Sequence, residues 1–120
     1  MTHQFFFSQP IPQMSVEELV QYLSESQEGL QLIDVREEQE IAIARLEGFE
    51  NLPLSEFAQW SEQILTRFDP DTETLVLCHH GRRSAQMCQW LMSQGFTHVK
   101  NIAGGIEAYS LLVDPSIPRY

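Results

Sequence analysis

TLVLCHHGRRSAQ (Thr74–Gln86) is a short apolar run that ends in a thiol, followed by a polar loop and the start of a helical pattern. The run Thr74–Cys78 has no outward polar alternation, as for a strand buried on both faces of a parallel sheet. After the loop, Ala85, Cys88, Leu91 and Met92 recur at helical spacing from a start near Ser84, and Gly95 ends that helix. Strand, loop and helix in this order make half of a βαβ unit.

The flanking segments repeat the alternation. Gln9–Met14 reads as an extended lead-in, with Pro10 and Pro12 confining it to a sheet edge. Ser15 and Glu18 have capping-box spacing, and Val16, Leu19, Val20 and Leu23 continue as one apolar helical face. Leu30–Val35 is a strand rich in branched aliphatics. Glu37–Ala44 is a brief helix with acids in its first turn. Glu50–Pro53 is a short extended piece. Ser55 caps a helix whose stripe is Phe57, Trp60, Ile64, Leu65 and Phe68. Asp69–Glu73 is a turn, Val99–Gly105 a last strand and turn, and Ile106–Val113 a closing helix. The pattern predicts an α/β fold, a parallel sheet with helices on both faces. Ligands of such sheets sit outside the carboxyl ends of strands, where Cys78 stands.

With 120 residues and 42% hydrophobic content, a single domain over residues 1–120 is expected, with 1–14 as the lead-in and 114–120 as a Pro-broken tail. Phe5–Phe7 is too short to span a bilayer and reads as an anchor against the core. No secretory leader is evident, and two cysteines do not make a disulfide scaffold, so a reducing, cytoplasmic setting is expected. The formal net charge of −10 argues against nucleic acid as a partner, and no segment suggests a membrane. Fifteen of the seventeen acidic residues precede Cys78, and none falls between Thr74 and Ile106. Arg82, Arg83, Lys100, His79, His80 and His98 all lie in that interval, which suggests an anionic ligand there.

A wrapped loop between a strand and a helix N-terminus directs backbone N–H groups toward one point, an anion-binding nest. Gly81 permits the turn, and Arg82 and Arg83 add charge. These features favour a thiolate nucleophile at Cys78. Cys88 lies on the apolar helix stripe and reads as core. Cys78, His79 and His80 do not have the spacing of a closed metal set, so no metal is expected.

CHHGRRSAQ (Cys78–Gln86), LIDVREEQE (Leu32–Glu40) and GFTHVKNIAGGIEAY (Gly95–Tyr109), in this order, resemble the rhodanese family of sulfurtransferases. The resemblance implies a rhodanese-like three-layer α/β/α domain with a five-stranded parallel sheet flanked by helices. It implies that Cys78 takes a sulfane sulfur from a donor such as thiosulfate or a protein persulfide, and passes it to a thiol, cyanide or a protein acceptor. The backbone of His79, His80, Gly81, Arg82, Arg83 and Ser84 would cradle the persulfide, and the two arginines would orient the donor. Asp34 and Arg36 match the family's Asp-x-Arg pair, either touching the loop or anchoring the fold. Gly104 and Gly105 match the glycine pair before the last helix. No cofactor is implied. The chain departs from the family's pattern at Ala44–Phe49, where only Leu46 and Gly48 match, and at Tyr109, where tryptophan is common. The tail VDPSIPRY (Val113–Tyr120) resembles that of rhodanese domains fused to adenylyltransferases, which suggests sulfur relay to a protein.

Two other readings stand beside this one. A rhodanese-like binding or regulatory module would need no chemistry at position 78. A small phosphatase or arsenate reductase would carry its closing arginine one residue later than Arg83, and the shorter loop suits sulfur better than a phosphoryl group.

Overall fold

In the computed structural model the described residues are 10–25 and 29–120. The Phe5–Phe7 anchor and the beginning of the lead-in lie outside them. Five strands form one sheet: β1 (Gln13–Met14), β2 (Gln31–Asp34), β3 (Glu50–Asn51), β4 (Thr74–Leu77) and β5 (Val99–Ile102). Their order is β1-β5-β4-β2-β3, and every pairing is parallel. The strand with the most continuous apolar sequence is the central one, and all four of its residues are buried.

Alternate side chains of β4 feed two separate cores. Leu75 and Leu77 join Met14, Val16, Leu19, Ile102 and Ile106 beneath α1 (Val16–Ser24) and the final helix, α6 (Gly105–Leu112). Val76 joins Ile33, Trp60, Ile64, Met87, Cys88 and Leu91 on the opposite face. That face is covered by α3 (Phe57–Trp60), α4 (Ile64–Arg67) and α5 (Arg82–Ser93). A short α2 (Glu38–Ile43) follows β2. The result is the three-layer α/β/α arrangement expected from sequence. Among the described residues no helix is long and apolar enough to cross a membrane.

Local chemistry accounts for the helix boundaries. Ser15 Oγ accepts the Glu18 N–H at 3.0 Å while Glu18 Oε1 accepts the Ser15 N–H at 2.8 Å, completing the capping box of α1. At the end of α5, the Phe96 N–H donates to Leu91 O and the Gly95 N–H to Met92 O, with Gly95 at φ +98°. This Schellman motif needs a left-handed residue, which Gly95 supplies.

The helix expected from Ser55 differs. Residues 54–67 alternate 3-10 turns (Leu54–Glu56, Ser61–Gln63) with α3 and α4. Ser55 caps nothing: its hydroxyl and its N–H both donate to the Glu37 carboxylate. Each 3-10 residue advances the helix phase by about 20° more than an α residue, so an even α-helical stripe drifts out of register. Trp60, Ile64 and Phe68 stay buried, whereas Leu65 is 54% exposed. The tail folds back along α6: Ser110 Oγ donates to Ile117 O at 2.7 Å, and Ile117 packs on the α1–α6 core.

Candidate active site

The site forms where β4 ends and the chain turns into α5. Gly81 adopts φ +97°, and a Cβ there would meet the Gly104 N at 3.0 Å. The loop is held from beneath by the N-terminus of α6. Ile106 N–H donates to Cys78 O at 3.0 Å and Glu107 N–H to His79 O at 3.1 Å. Backbone can come this close only over glycine: a Cβ on Gly105, itself at φ +62°, would lie 2.3 Å from His79 O and 2.5 Å from Cys78 O. With both carbonyls tied to α6, the N–H groups that follow are free to turn toward the sulfur. That of Gly81 does so, reaching Cys78 Sγ at 3.0 Å.

Ser84 Oγ stands 3.2 Å from the same sulfur and also hydrogen-bonds Asn101 Oδ1. Among the described residues the Gly81 amide bonds Sγ itself. The helix expected to start near Ser84 begins at Arg82. The amides of Arg82–Ser84 are thereby first-turn donors of a helix. Cys78 is 1% exposed and packs with Val76, Met87 and Cys88.

The loop cations are distributed unequally. Arg82 is exposed. Arg83 is engaged: its two terminal nitrogens donate to the two Glu40 oxygens at 2.8 and 2.9 Å. These bonds hold the Glu40 carboxyl down to about 2, and Glu40 raises the already high pKa of Arg83. Glu40 Oε1 also accepts the Glu37 N–H at 3.0 Å, so one side chain caps α2 and neutralises the loop. Lys100 is paired with Glu73 and Arg119 with Glu107. The positive region visible in sequence is therefore largely compensated by acids distant in the chain.

Asp34 and Arg36 form a buried pair, with Arg36 Nε on Asp34 Oδ1 at 3.0 Å and Nη2 on Oδ2 at 2.8 Å. Asn51 Nδ2 donates to both Asp34 O and Arg36 O, and Arg36 Nη1 reaches Tyr120 Oη at 2.8 Å. Burial opposes the charge on Arg36, but Asp34 and Tyr120 more than restore it.

His79 lies between two rings, with His80 at 3.8 Å and Tyr120 at 3.9 Å between centroids, both stacked. Its Nε2 is buried without a hydrogen bond, 4.0 Å from Glu107 Oε1. Burial, then the neighbouring His80, lowers its pKa. Cys88 is fully buried, its thiol pushed up to about 12 by burial and by Cys78, and both cysteines are free thiols.

Three residues at the site were not singled out from sequence: Glu40, Asn101 and Tyr120. Asn101 carried a signal, a polar residue two positions after Val99 and so on the same face of the strand VKNI as that apolar residue. Glu40 and Tyr120 carried none, since their partners are distant in sequence.

The profile of the rhodanese-like domain matches residues 15–112. The chain is 49% identical over 114 residues to the Rhodanese-like/PpiC domain-containing protein 12, chloroplastic, of Arabidopsis thaliana, covering 93% of this chain and 38% of that relative. It is 35% identical over 117 residues to the Adenylyltransferase and sulfurtransferase UBA4 of Debaryomyces hansenii, covering 92% of this chain and 26% of that one. It therefore spans well under two thirds of either relative. The Thiosulfate sulfurtransferase GlpE of Pseudomonas entomophila is 33% identical over 82 residues, 68% of this chain and 72% of that protein. Among solved structures, a rhodanese-like domain protein from Staphylococcus aureus superposes with a TM-score of 0.74 at 24% identity, covering 92% of this chain and 99% of the other. Profile and relatives agree over nearly all of the described residues, and the chain belongs to the rhodanese-like family, several of whose members are named sulfurtransferases.

Proposed function

We propose that this domain is a sulfurtransferase that carries sulfane sulfur as a persulfide on Cys78. The observation that supports this most directly is the pair of groups on one sulfur, the Gly81 amide at 3.0 Å and the Ser84 hydroxyl at 3.2 Å, at the carboxyl end of the central strand. Both favour a negative sulfur. The thiolate attacks the outer sulfur of thiosulfate, the donor's S–S bond breaks, and sulfite leaves with the electron pair. A nucleophilic acceptor then attacks the terminal sulfur, and the Cys78 thiolate returns as leaving group. The covalent intermediate divides one transfer into two steps. No atom is oxidised or reduced overall; the sulfane sulfur only changes partner.

In this reading thiosulfate is one donor and a protein persulfide another. The relatives named as sulfurtransferases joined to adenylyltransferases, and one named a putative sulfur carrier protein in Bacillus subtilis, support relay to a protein acceptor. Two free thiols suit a reducing compartment, the cytoplasm in this reading.

A second reading, a binding module without turnover, is favoured by two facts: Cys78 is 1% exposed and Arg83 is committed to Glu40. One experiment separates the two. Incubation with thiosulfate adds one sulfur, ~32 Da, to the intact chain as a persulfide, and Cys78→Ser abolishes the gain. An unchanged mass with thiosulfate and with cysteine persulfide would overturn the enzymatic reading in favour of the module.

A further inference from the structure

One hydroxyl proton faces two acceptors beside the nucleophile. Ser84 Oγ reaches both Cys78 Sγ, at 3.2 Å, and Asn101 Oδ1. The Asn101 amide cannot turn over to relieve this. Its Nδ2 donates to Gly81 O and to Gln13 Oε1, both at 3.0 Å. Gly81 O is a carbonyl and can only accept, so it alone sets the amide's orientation, and the exposed Gln13 side chain turns its oxygen toward Asn101 with its Nε2 on Ile11 O at 3.2 Å. Oδ1 must therefore face Ser84. Ser84 and Asn101 are 0% and 3% exposed, so neither has bulk water as an alternative partner.

We propose that Asn101 is a positioning residue that shares the Ser84 hydroxyl proton with Cys78, ceding it while Sγ is anionic and reclaiming it once the charge has moved to an outer sulfur. The inference rests on the persulfide reading above. With a neutral thiol, S–H donates to Ser84 Oγ, and the hydroxyl donates to Asn101 Oδ1. When the thiol proton passes to a solvent base, Sγ can only accept, and the hydroxyl turns to it. Asn101 Oδ1 is then a buried acceptor without a donor, a state that costs free energy. On attack, Sγ forms the new S–S bond, sulfite leaves with the donor's bonding pair, and the negative charge resides on the terminal sulfur. Sγ is now a weak acceptor, and the hydroxyl returns to Oδ1. The penalty falls on the anionic Sγ alone, so the pair drives charge outward and favours the loaded form. Differential stabilisation of this kind changes the transfer equilibrium, which uniform stabilisation does not. Arg83 and Cys88 both feel the charge of the sulfur, and the test leaves both in place.

The test is the alkylation rate of Cys78 by iodoacetamide as a function of pH, located by peptide mass, together with persulfide yield at a fixed ratio of thiosulfate to sulfite. Ser84→Ala removes a donor to the thiolate, so alkylation at neutral pH slows by about tenfold or more and the profile moves to higher pH. Asn101→Leu leaves the hydroxyl on the sulfur at all times, so the profile moves to lower pH and persulfide yield falls several-fold. In the double variant Asn101→Leu adds nothing to Ser84→Ala. An Asn101→Leu profile identical to wild type, or a shift that persists without the Ser84 hydroxyl, overturns the proposal. Should Asn101→Leu not fold, Asn101→Asp replaces it. The carboxylate then holds the hydroxyl more tightly, and its upward shift must shrink in the Ser84→Ala background. Alkylation needs no sulfur donor. A chain that alkylates as stated but never takes up sulfur sinks only the sulfurtransferase reading, whereas normal loading with an unmoved alkylation profile sinks only this inference.

Discussion

At the scale of single residues, the site depends on side chains that are absent as much as on those present. Gly105 is the sharpest case, because two carbonyls occupy the volume of a Cβ. Gly105→Ala is expected to cost more than about 2 kcal/mol in urea unfolding and to abolish sulfur loading, since the φ of +62° adds strain to the collision. Asp34 makes the complementary point. Removing it leaves the Arg36 guanidinium, 0% exposed, without its carboxylate, and Asp34→Ala is expected to cost about 3–5 kcal/mol by chemical denaturation. The glycine pair and the Asp-x-Arg motif were legible in sequence as family features. Their causes were not, because a collision distance and a buried partner exist only once β2, the loop and α6 are assembled.

At the scale of elements, sequence reading succeeded where one local rule decided the outcome. The Ser15–Glu18 box and the Gly95 stop are local; α1 begins, and α5 ends, where those residues put them. It missed the breaks in residues 54–67, because Glu37, from a different element, takes the Ser55 groups that would have capped a continuous helix. It also read the loop arginines as equivalent. The bond between α2 and α5 through Glu40 and Arg83 distinguishes them and brings a pH dependence. Glu40 sits at about 2 in the fold, against about 4.3 in an unfolded chain. Its stabilising contribution is thus complete above the unfolded value and is lost as pH falls from about 4.5 toward 2. The stability gap between the wild type and Glu40→Gln, measured by urea unfolding, should be constant near neutrality and close across that acidic interval. A gap independent of pH would mean that the pair contributes nothing.

At the scale of the whole molecule, the net charge of −10 opposes the approach of any dianion. Of the two loop arginines only Arg82 lacks a carboxylate partner among the described residues, and one exposed cation cannot reverse that field. Thiosulfate loading is therefore expected to accelerate as ionic strength rises toward about 0.1 M, where the Debye length shrinks to ~10 Å. Stopped-flow loading rates across a salt series check this, and a rate that falls with salt would mean that local attraction governs capture. The sheet architecture was readable from alternation alone, but the charge balance of the loop region was not, since the pairs that neutralise Arg83 and Lys100 join residues far apart in sequence. The outermost strands, β1 and β3, are two residues long, with Pro12 immediately before the first and Pro53 shortly after the second. Neither rim offers enough unbroken backbone for a neighbour to zip onto. A module adjoining such a unit would have to attach through tethers and side-chain contacts, not by extending the sheet.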